Sequence, residues 1–296
     1  MPFVQASINI QRPGIERTVQ FQFDNTKFGQ QIMLDAFSKQ QMYEQETARV
    51  LDLILQPGDT FLDIGGHIGF FSMVAAAMVG PSGRVFTFEP DPSNYQHLLH
   101  HIAINDYHNV FPCHWAVGQT SGVVEFFFNP DNDGGHALWD PGKHPFNEKA
   151  RANVVKRPVF LTALDDFFRG AQPGFVKLIK IDTEGNEVNV LRGAKQFLVS
   201  AQVPAVIAEF NQFGLEQMNS SEAELRSLMA ELGYTTYALV GNLPVRLQPG
   251  QSIQSQVIYN FLFVNAALQA LAAPLWPQDV TAVAPPPAEQ PAPPAV

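Results

Sequence analysis

The sequence predicts an α/β domain built on a doubly wound, mostly parallel sheet of seven strands, with helices on both faces and an antiparallel terminal strand. Three observations predict it. Short apolar runs alternate with longer helical stripes between Thr60 and Gly233. A glycine-rich turn, Asp63-Ile64-Gly65-Gly66-His67-Ile68-Gly69, joins the first of these runs to its helix. The last two runs, at 234–240 and 257–264, follow one another with no helix between them, so they must pair antiparallel.

Residues 1–58 read as an N-terminal extension that caps one edge or mouth of the main domain. Within it, residues 18–23 alternate as a half-buried strand does. Val50, Leu51, Ile54 and Leu55 follow helical spacing, and Pro57-Gly58 ends that helix. The main domain takes residues 59–270. Its strands are expected at 61–64, 85–88, 110–117, 175–181 and 205–208, before the terminal pair. A helix runs through Val79, another from Ser93 to about Asn105. Val188, Leu191, Ala194 and Leu198 form one stripe on a third. Ser221-Glu222-Ala223-Glu224 is a capping box that opens the last helix, and Gly233 stops it. Residues 271–296, rich in Pro and Ala, have little to bury and read as a flexible tail.

Hydrophobic residues make up 46% of the 296-residue chain and charged residues 16%, which supports a sizeable core. The net charge of −10, with no run of Lys or Arg, argues against nucleic acid and against an anionic membrane surface as partners. The single cysteine, Cys113, excludes an intrachain disulfide and suits a reducing compartment. No leader pattern opens the sequence, and the most apolar run is too short to span a bilayer. A cytoplasmic protein is the expectation, and a homo-oligomer is compatible with it.

The chemistry gathers at the strand ends. Glycines at 65, 66 and 69 let backbone approach a ligand closely, and the following helix presents N–H groups that suit a carboxylate. Asp63 can accept from an ammonium group or hold the loop. Glu89, followed by Pro90, lies about 20 residues beyond the last loop glycine, where an acid accepts from ribose hydroxyls. A nicotinamide-dependent oxidoreductase would want the same acid. Its loop is G-x-G-x-x-G, however, and His67 occupies the place of the second glycine. Asp182 closes the strand at 175–181. It and the acids Glu184, Glu187 and Glu209 could hold a cationic ligand, orient a hydroxyl, bind a divalent cation or complement a helix dipole. No metal ligand set is assigned. The long connection from Asn129 to Arg157 carries Gly134-Gly135-His136, Trp139 and His144, and it should lie over the strand ends.

Tyr43-Glu44, the stretch from Phe61 to Ser72, Phe88-Glu89-Pro90, Ala116-Val117-Gly118 and Thr162-Ala163-Leu164-Asp165-Asp166 resemble the FkbM-type methyltransferases. Most specific is Ile179-Lys180-Ile181-Asp182-Thr183-Glu184-Gly185-Asn186-Glu187, followed by Val190-Leu191-Arg192-Gly193-Ala194. The resemblance covers roughly residues 43–237. It implies a Rossmann-like class I methyltransferase fold, S-adenosylmethionine as cofactor, and O-methylation of a sugar, glycan or natural-product hydroxyl. It places Asp63, Gly65 and Gly69 at the methionine portion, Glu89 at the ribose, and His114, Trp115 and Ala116 near the adenine. The family often has Ala-Asn where this chain has Gly66-His67, so the resemblance puts His67, with Gly66, Pro90 and Asp182, among the cofactor-binding residues.

A hydroxyl acceptor benefits from a general base. His136 is the first candidate, since histidine titrates near neutrality and its loop lies over the site. His67 and Asp182 are the alternatives. A non-catalytic scaffold that only binds the cofactor remains a rival, weakened by intact Gly65, Gly69, Glu89 and Asp182.

Overall fold

A computed structural model describes residues 2–265, except 13, 172, 242 and 253–257. The Pro- and Ala-rich stretch at 271–296 lies outside the described residues, as does Val257.

The chain opens with an antiparallel hairpin, β1 (Phe3–Arg12) and β2 (Ile15–Asp24). Helices α1 (Phe28–Ser38) and α2 (Gln45–Ile54) follow. The alternating strand expected at 18–23 is therefore the middle of β2. Its partner β1 carries the same alternation, with Ala6, Ile8 and Ile10 turned inward and Gln5, Ser7, Asn9 and Gln11 exposed, although the sequence analysis assigns no strand there.

The main sheet begins with β3 (Thr60–Ile64), α3 (Phe70–Val79), β4 (Arg84–Phe88), α4 (Pro92–Ile104) and β5 (Val110–Cys113). The strand expected at 110–117 is two. After Cys113 the chain leaves the main sheet, and β6 (Ala116–Val117) pairs instead in a second, three-stranded sheet. That sheet also holds β7 (Gly122–Phe128) and β8 (Val155–Thr162), which flank the long connection and its short helix α5 (Glu148–Ala152). The connection is thus shorter than expected, since Arg157 belongs to β8.

The chain returns through α6 (Leu164–Phe167) to β9 (Val176–Ile181), α7 (Glu187–Arg192), α8 (Lys195–Ser200) and β10 (Ala205–Phe210). The single helix expected around Leu191 is broken between α7 and α8. A Cβ on Gly193 would stand 2.1 Å from the Gly118 carbonyl oxygen, and the Gly193 carbonyl accepts from Asp165 N–H. The apolar stripe was read correctly, but this close packing of backbone on backbone interrupts the cylinder beneath it. Last come α9 (Gln212–Gln217), α10 (Glu222–Glu231), β11 (Tyr234–Val240), β12 (Leu243–Arg246) and β13 (Tyr259–Asn265). Ser221 Oγ caps α10 by accepting from Glu224 N–H at 3.2 Å.

The main sheet has the order β12-β11-β13-β10-β9-β3-β4-β5. Strands β5, β4, β3, β9 and β10 run parallel, and β13 inserts antiparallel between β10 and β11. The terminal strand is antiparallel as expected. The sheet has eight strands rather than seven, because the turn after β11 adds β12 at the edge. Side chains alternate across it. Phe61, Leu178, Ile207 and Leu262 face one core with α2, α3 and the N-terminal hairpin, while Leu62, Ile179, Val206 and Phe261 face the other with α7 to α10. Val19, Phe21 and Phe23 of β2 pack in the first core, so the hairpin shares the sheet's own hydrophobic interior. Among the described residues no helix is long and apolar enough to cross a membrane.

Candidate active site

One cavity of about 330 Å³ opens over the carboxyl ends of β3, β4, β9 and β10. Glu44 just before α2, and Gly29 and Met33 of α1, wall one side of it, and the loop carrying Asp133, Gly134 and His136 covers another. Asp63, Gly65, Gly66, His67, Glu89, Pro90, Trp115, Ala116, His136 and Asp182 all line it. His114 does not. Its ring stacks on Tyr95 with centroids 4.5 Å apart, turned from the cavity by the same bend that ends β5. Gly69 does not line it either. It sits at the start of α3 with φ +86°, packed under Leu98, where it lets the chain turn into the helix.

The glycine turn is closed by its own hydrogen bonds. Gly65 and Gly66 both donate to the Phe88 carbonyl, at 2.9 and 3.0 Å. His67 N–H donates to Glu89 Oε2 at 2.8 Å. These three donors are committed to protein acceptors, so the turn is held by its own backbone. Gly65 has φ +79°, and a Cβ on it would stand 1.7 Å from the Asp182 carbonyl oxygen. The turn after β3 and the end of β9 therefore touch through backbone alone.

Glu89 is 5% exposed and also accepts from Asp91 N–H at 2.8 Å. Burial raises its carboxyl well above the usual range, against the two backbone donors. Each of its oxygens keeps a further lone pair, enough for a diol. Asp63 Oδ2 accepts from Ser72 Oγ at 2.6 Å, but its buried Oδ1 has no partner. A buried carboxylate oxygen without a donor awaits one from a ligand. These two acids fit a ligand that brings a ribose and an ammonium group.

Beyond them lies an acidic wall. Lys180, 2% exposed, donates to Asp182 Oδ2 at 2.7 Å and lies 5.0 Å from the Phe71 ring centre. Burial opposes its charge, but Asp182, Glu44 and Asp63 hold it firmly protonated. Glu184 is pushed up to about 8, first by burial and then by Asp182 and Glu187. Glu187 is pushed up to about 7 by burial. Glu209 is raised by burial and by the same neighbouring acids. Oxygens of Asp182, Glu184 and Glu209 lie within 4.8 Å of one another, a spacing a cation could bridge. Glu187 has a structural task, since its Oε1 accepts from Thr183 and Gly185 N–H. Trp139 Nε1 donates to the Glu184 carbonyl at 2.6 Å, tying the long connection to this wall.

The two histidines over the cavity differ. His136 Nδ1 accepts from Asn129 N–H at 2.8 Å, and its Nε2 faces Asp91 Oδ2 at 3.5 Å. Both ring nitrogens are engaged, and burial lowers its pKa, so His136 has no lone pair to offer an acceptor. The first choice of base made from sequence is thereby corrected: the ring holds its loop. His67 Nε2 lies 2.9 Å from Asp133 Oδ2. Among the described residues none bonds its Nδ1. Sequence reasoning gave no role to Asp133, Lys180, Gly29 or Glu44. Glu44 carries part of the family resemblance without an assigned role, and nothing local marks Gly29 as a residue that reaches a site from so far along the chain.

The model of the methyltransferase FkbM domain matches residues 63–236, more than half of the chain. Methyltransferase 1 of Beauveria bassiana is 27% identical over 150 residues, 46% of this chain and 59% of that one. The 2-O-methyltransferase NoeI of Sinorhizobium fredii is 24% identical over 204 residues, 66% of this chain and 79% of that one. A methyltransferase FkbM structure from Methylobacillus flagellatus aligns with TM-score 0.43 and 14% identity, over 73% of this chain and 50% of its own. The chain thus spans between half and two thirds of the Beauveria and Methylobacillus proteins. With a match over residues 63–236 on a class I methyltransferase sheet, the chain belongs to the FkbM family of S-adenosylmethionine-dependent methyltransferases.

Proposed function

We propose that this chain O-methylates a hydroxyl on a sugar, glycan or natural-product small molecule. The observation that carries the reading is the His67–Asp133 pair at 2.9 Å on the wall of the cavity that Glu89 and Asp63 also line. A similar protein, NoeI, is named a 2-O-methyltransferase, which supports oxygen as the target.

S-adenosylmethionine, when bound, supplies a methyl group already activated by its sulfonium charge. The chain's part is to hold, align and take a proton. With that cofactor bound, Glu89 would accept from the ribose hydroxyls and Asp63 Oδ1 would take the ammonium. Pro90, Trp115 and Ala116 would hold the adenine, and Gly65 and Gly66 would shape the floor. Asp182, pinned by Lys180, and Glu184 orient the acceptor. His67 Nδ1 receives the proton that the hydroxyl loses, a contribution of roughly 10²–10⁴-fold in general. Asp182 is less suited to that task, because its carboxylate already pairs with Lys180.

Calorimetric titration with S-adenosylhomocysteine, beside NAD and beside Glu89→Ala, tests the cofactor half. Binding to S-adenosylhomocysteine alone is expected, weakened roughly 10–100-fold by Glu89→Ala, since hydrogen bonds to a charged group contribute about 1.5–3 kcal/mol. No binding by folded protein, or binding of NAD instead, excludes the reading. Turnover of a hydroxyl panel with labelled methyl donor then tests the acceptor half.

A further inference from the structure

Two distant parts of the chain, the start of α1 and the turn after β3, converge on one buried carboxylate. Asp133 is 7% exposed. Its Oδ1 accepts from Gly29 N–H at 2.7 Å, and its Oδ2 accepts from Gln30 Nε2 at 3.2 Å, beside His67 Nε2. Gln30, 1% exposed, accepts through Oε1 from Asp24 N–H at 2.7 Å, so it bridges the end of β2 to the loop. Asn94 of α4 donates to the Asp133 carbonyl at 2.8 Å. Burial works against the charge of Asp133, yet His67, Gly29 and Gln30 hold its carboxyl well below the usual range.

An ionised carboxylate can only accept, so the hydrogen between Asp133 and His67 belongs to His67 Nε2. A neutral imidazole protonated there carries its lone pair on Nδ1. The arrangement therefore selects one tautomer, and it does so through atoms of α1. Gly29 has little spare room, because a Cβ on it would stand 3.1 Å from Asp133 Oδ1 and 3.3 Å from Asn132 Oδ1.

We propose that Asp133 is a positioning residue that fixes His67 as its Nε2–H tautomer, and that Gly29 and Gln30 of the N-terminal segment set Asp133 for this task. The N-terminal segment is then a working part of the site. This proposal rests on the reading of His67 as the base, and the two fail separately.

The test is nitrogen NMR of the full chain, labelled at histidine and saturated with S-adenosylhomocysteine, with the His67 signals assigned by His67→Gln. The expected wild-type spectrum shows His67 protonated at Nε2 and bare at Nδ1. Asp133→Ala turns that signal into a mixture of tautomers, and Gly29→Ala moves it in the same direction by a smaller amount. Each variant is compared at its own saturating concentration of S-adenosylhomocysteine, so that a change in affinity does not enter the tautomer readout. His67 protonated at Nδ1 in the wild type, or an unchanged tautomer in folded Asp133→Ala, overturns the proposal. If Asp133→Ala does not fold, Gly29→Ala decides, since an unchanged signal there removes the N-terminal segment from the mechanism. Failure to bind S-adenosylhomocysteine would sink the cofactor reading instead, and the tautomer would still be measured.

Discussion

His67 and His136 sit over the same cavity, yet their ring nitrogens have different company. His136 spends Nδ1 on a backbone N–H and turns Nε2 to Asp91. His67 has one nitrogen on Asp133 and the other unbonded among the described residues. Replacing each by alanine should separate the roles. His67→Ala is expected to lower kcat by roughly 10²–10⁴-fold while affinity for S-adenosylhomocysteine holds. His136→Ala is expected to raise KM and loosen the loop, with the smaller effect on kcat. Single-turnover rates beside steady-state constants check this, and an equal loss of kcat in both variants would count against the assignment. Sequence could rank histidines only by type and by loop. The hydrogen bond that disqualifies His136 joins residues seven apart in a loop whose backbone path no local pattern dictates. Glu89, Asp63 and Asp182 were legible because each ends a strand beside a glycine or a turn, so periodicity alone places them at the mouth of the sheet. His114 was misplaced for the complementary reason. One bend after Cys113 turns its ring onto Tyr95, and a strand read straight through cannot foresee it.

Elements with strong periodicity were readable, and breaks caused by distant backbone were not. β3, α3, β4 and β9 lie where the alternation of apolar runs and stripes puts them. The division of α7 from α8 comes from Gly118 approaching Gly193, residues 75 positions apart, so the helical stripe continued while the helix did not. β12 is a four-residue edge strand, too short to carry a period. The turn after β3 is the element on which the site most depends. Gly65→Ala demands φ near +79° of a residue with a side chain and drives a methyl group into Asp182's carbonyl. We expect a loss of about 2–4 kcal/mol in urea unfolding and no measurable binding of S-adenosylhomocysteine. A variant of near wild-type stability that still binds would show that the turn can open without harm.

At the scale of the molecule, burial favours the protonated form of two acids in the wall beside the cavity, Glu184 and Glu187. Glu187 and Glu184 have folded values of about 7 and about 8, both raised chiefly by burial above an ordinary 4.5. A raised acid contributes stability that is full below its unfolded value and is lost as pH climbs through its folded value. Buried neutral His101, lowered to about 4 by burial, acts on the acid side, where it favours the fold less as pH drops below about 6.5. The two effects separate above that point. Between pH 6.5 and 8.5 the unfolding temperature of the unliganded protein is expected to fall by several °C, as roughly 1 kcal/mol corresponds to about 2–4 °C at this size. Scanning calorimetry checks it, and a level or rising profile would mean that the acids ionise without cost. The overall architecture could be read from the alternation of short apolar runs with longer stripes. The place of the N-terminal hairpin could not, because Phe21 and Phe23 reach the interior beside α3 only through the tertiary fold.

Gly185 and Gly214 meet back to back behind the acidic wall. A Cβ on Gly185 would stand 2.2 Å from the Gly214 carbonyl carbon, and one on Gly214 would stand 2.8 Å from the Glu184 carbonyl oxygen. Gly185 also holds φ at +101°, a region side chains avoid. Neither position can enlarge unless the other gives way, and neither has anything smaller to become. For a population of variants searching new acceptors, this spot is a dead end in sequence space. Under the proposed O-methylation, diversity in acceptors must then arise elsewhere, in the long connection and in α1, whose side chains border the cavity without locking backbone to backbone.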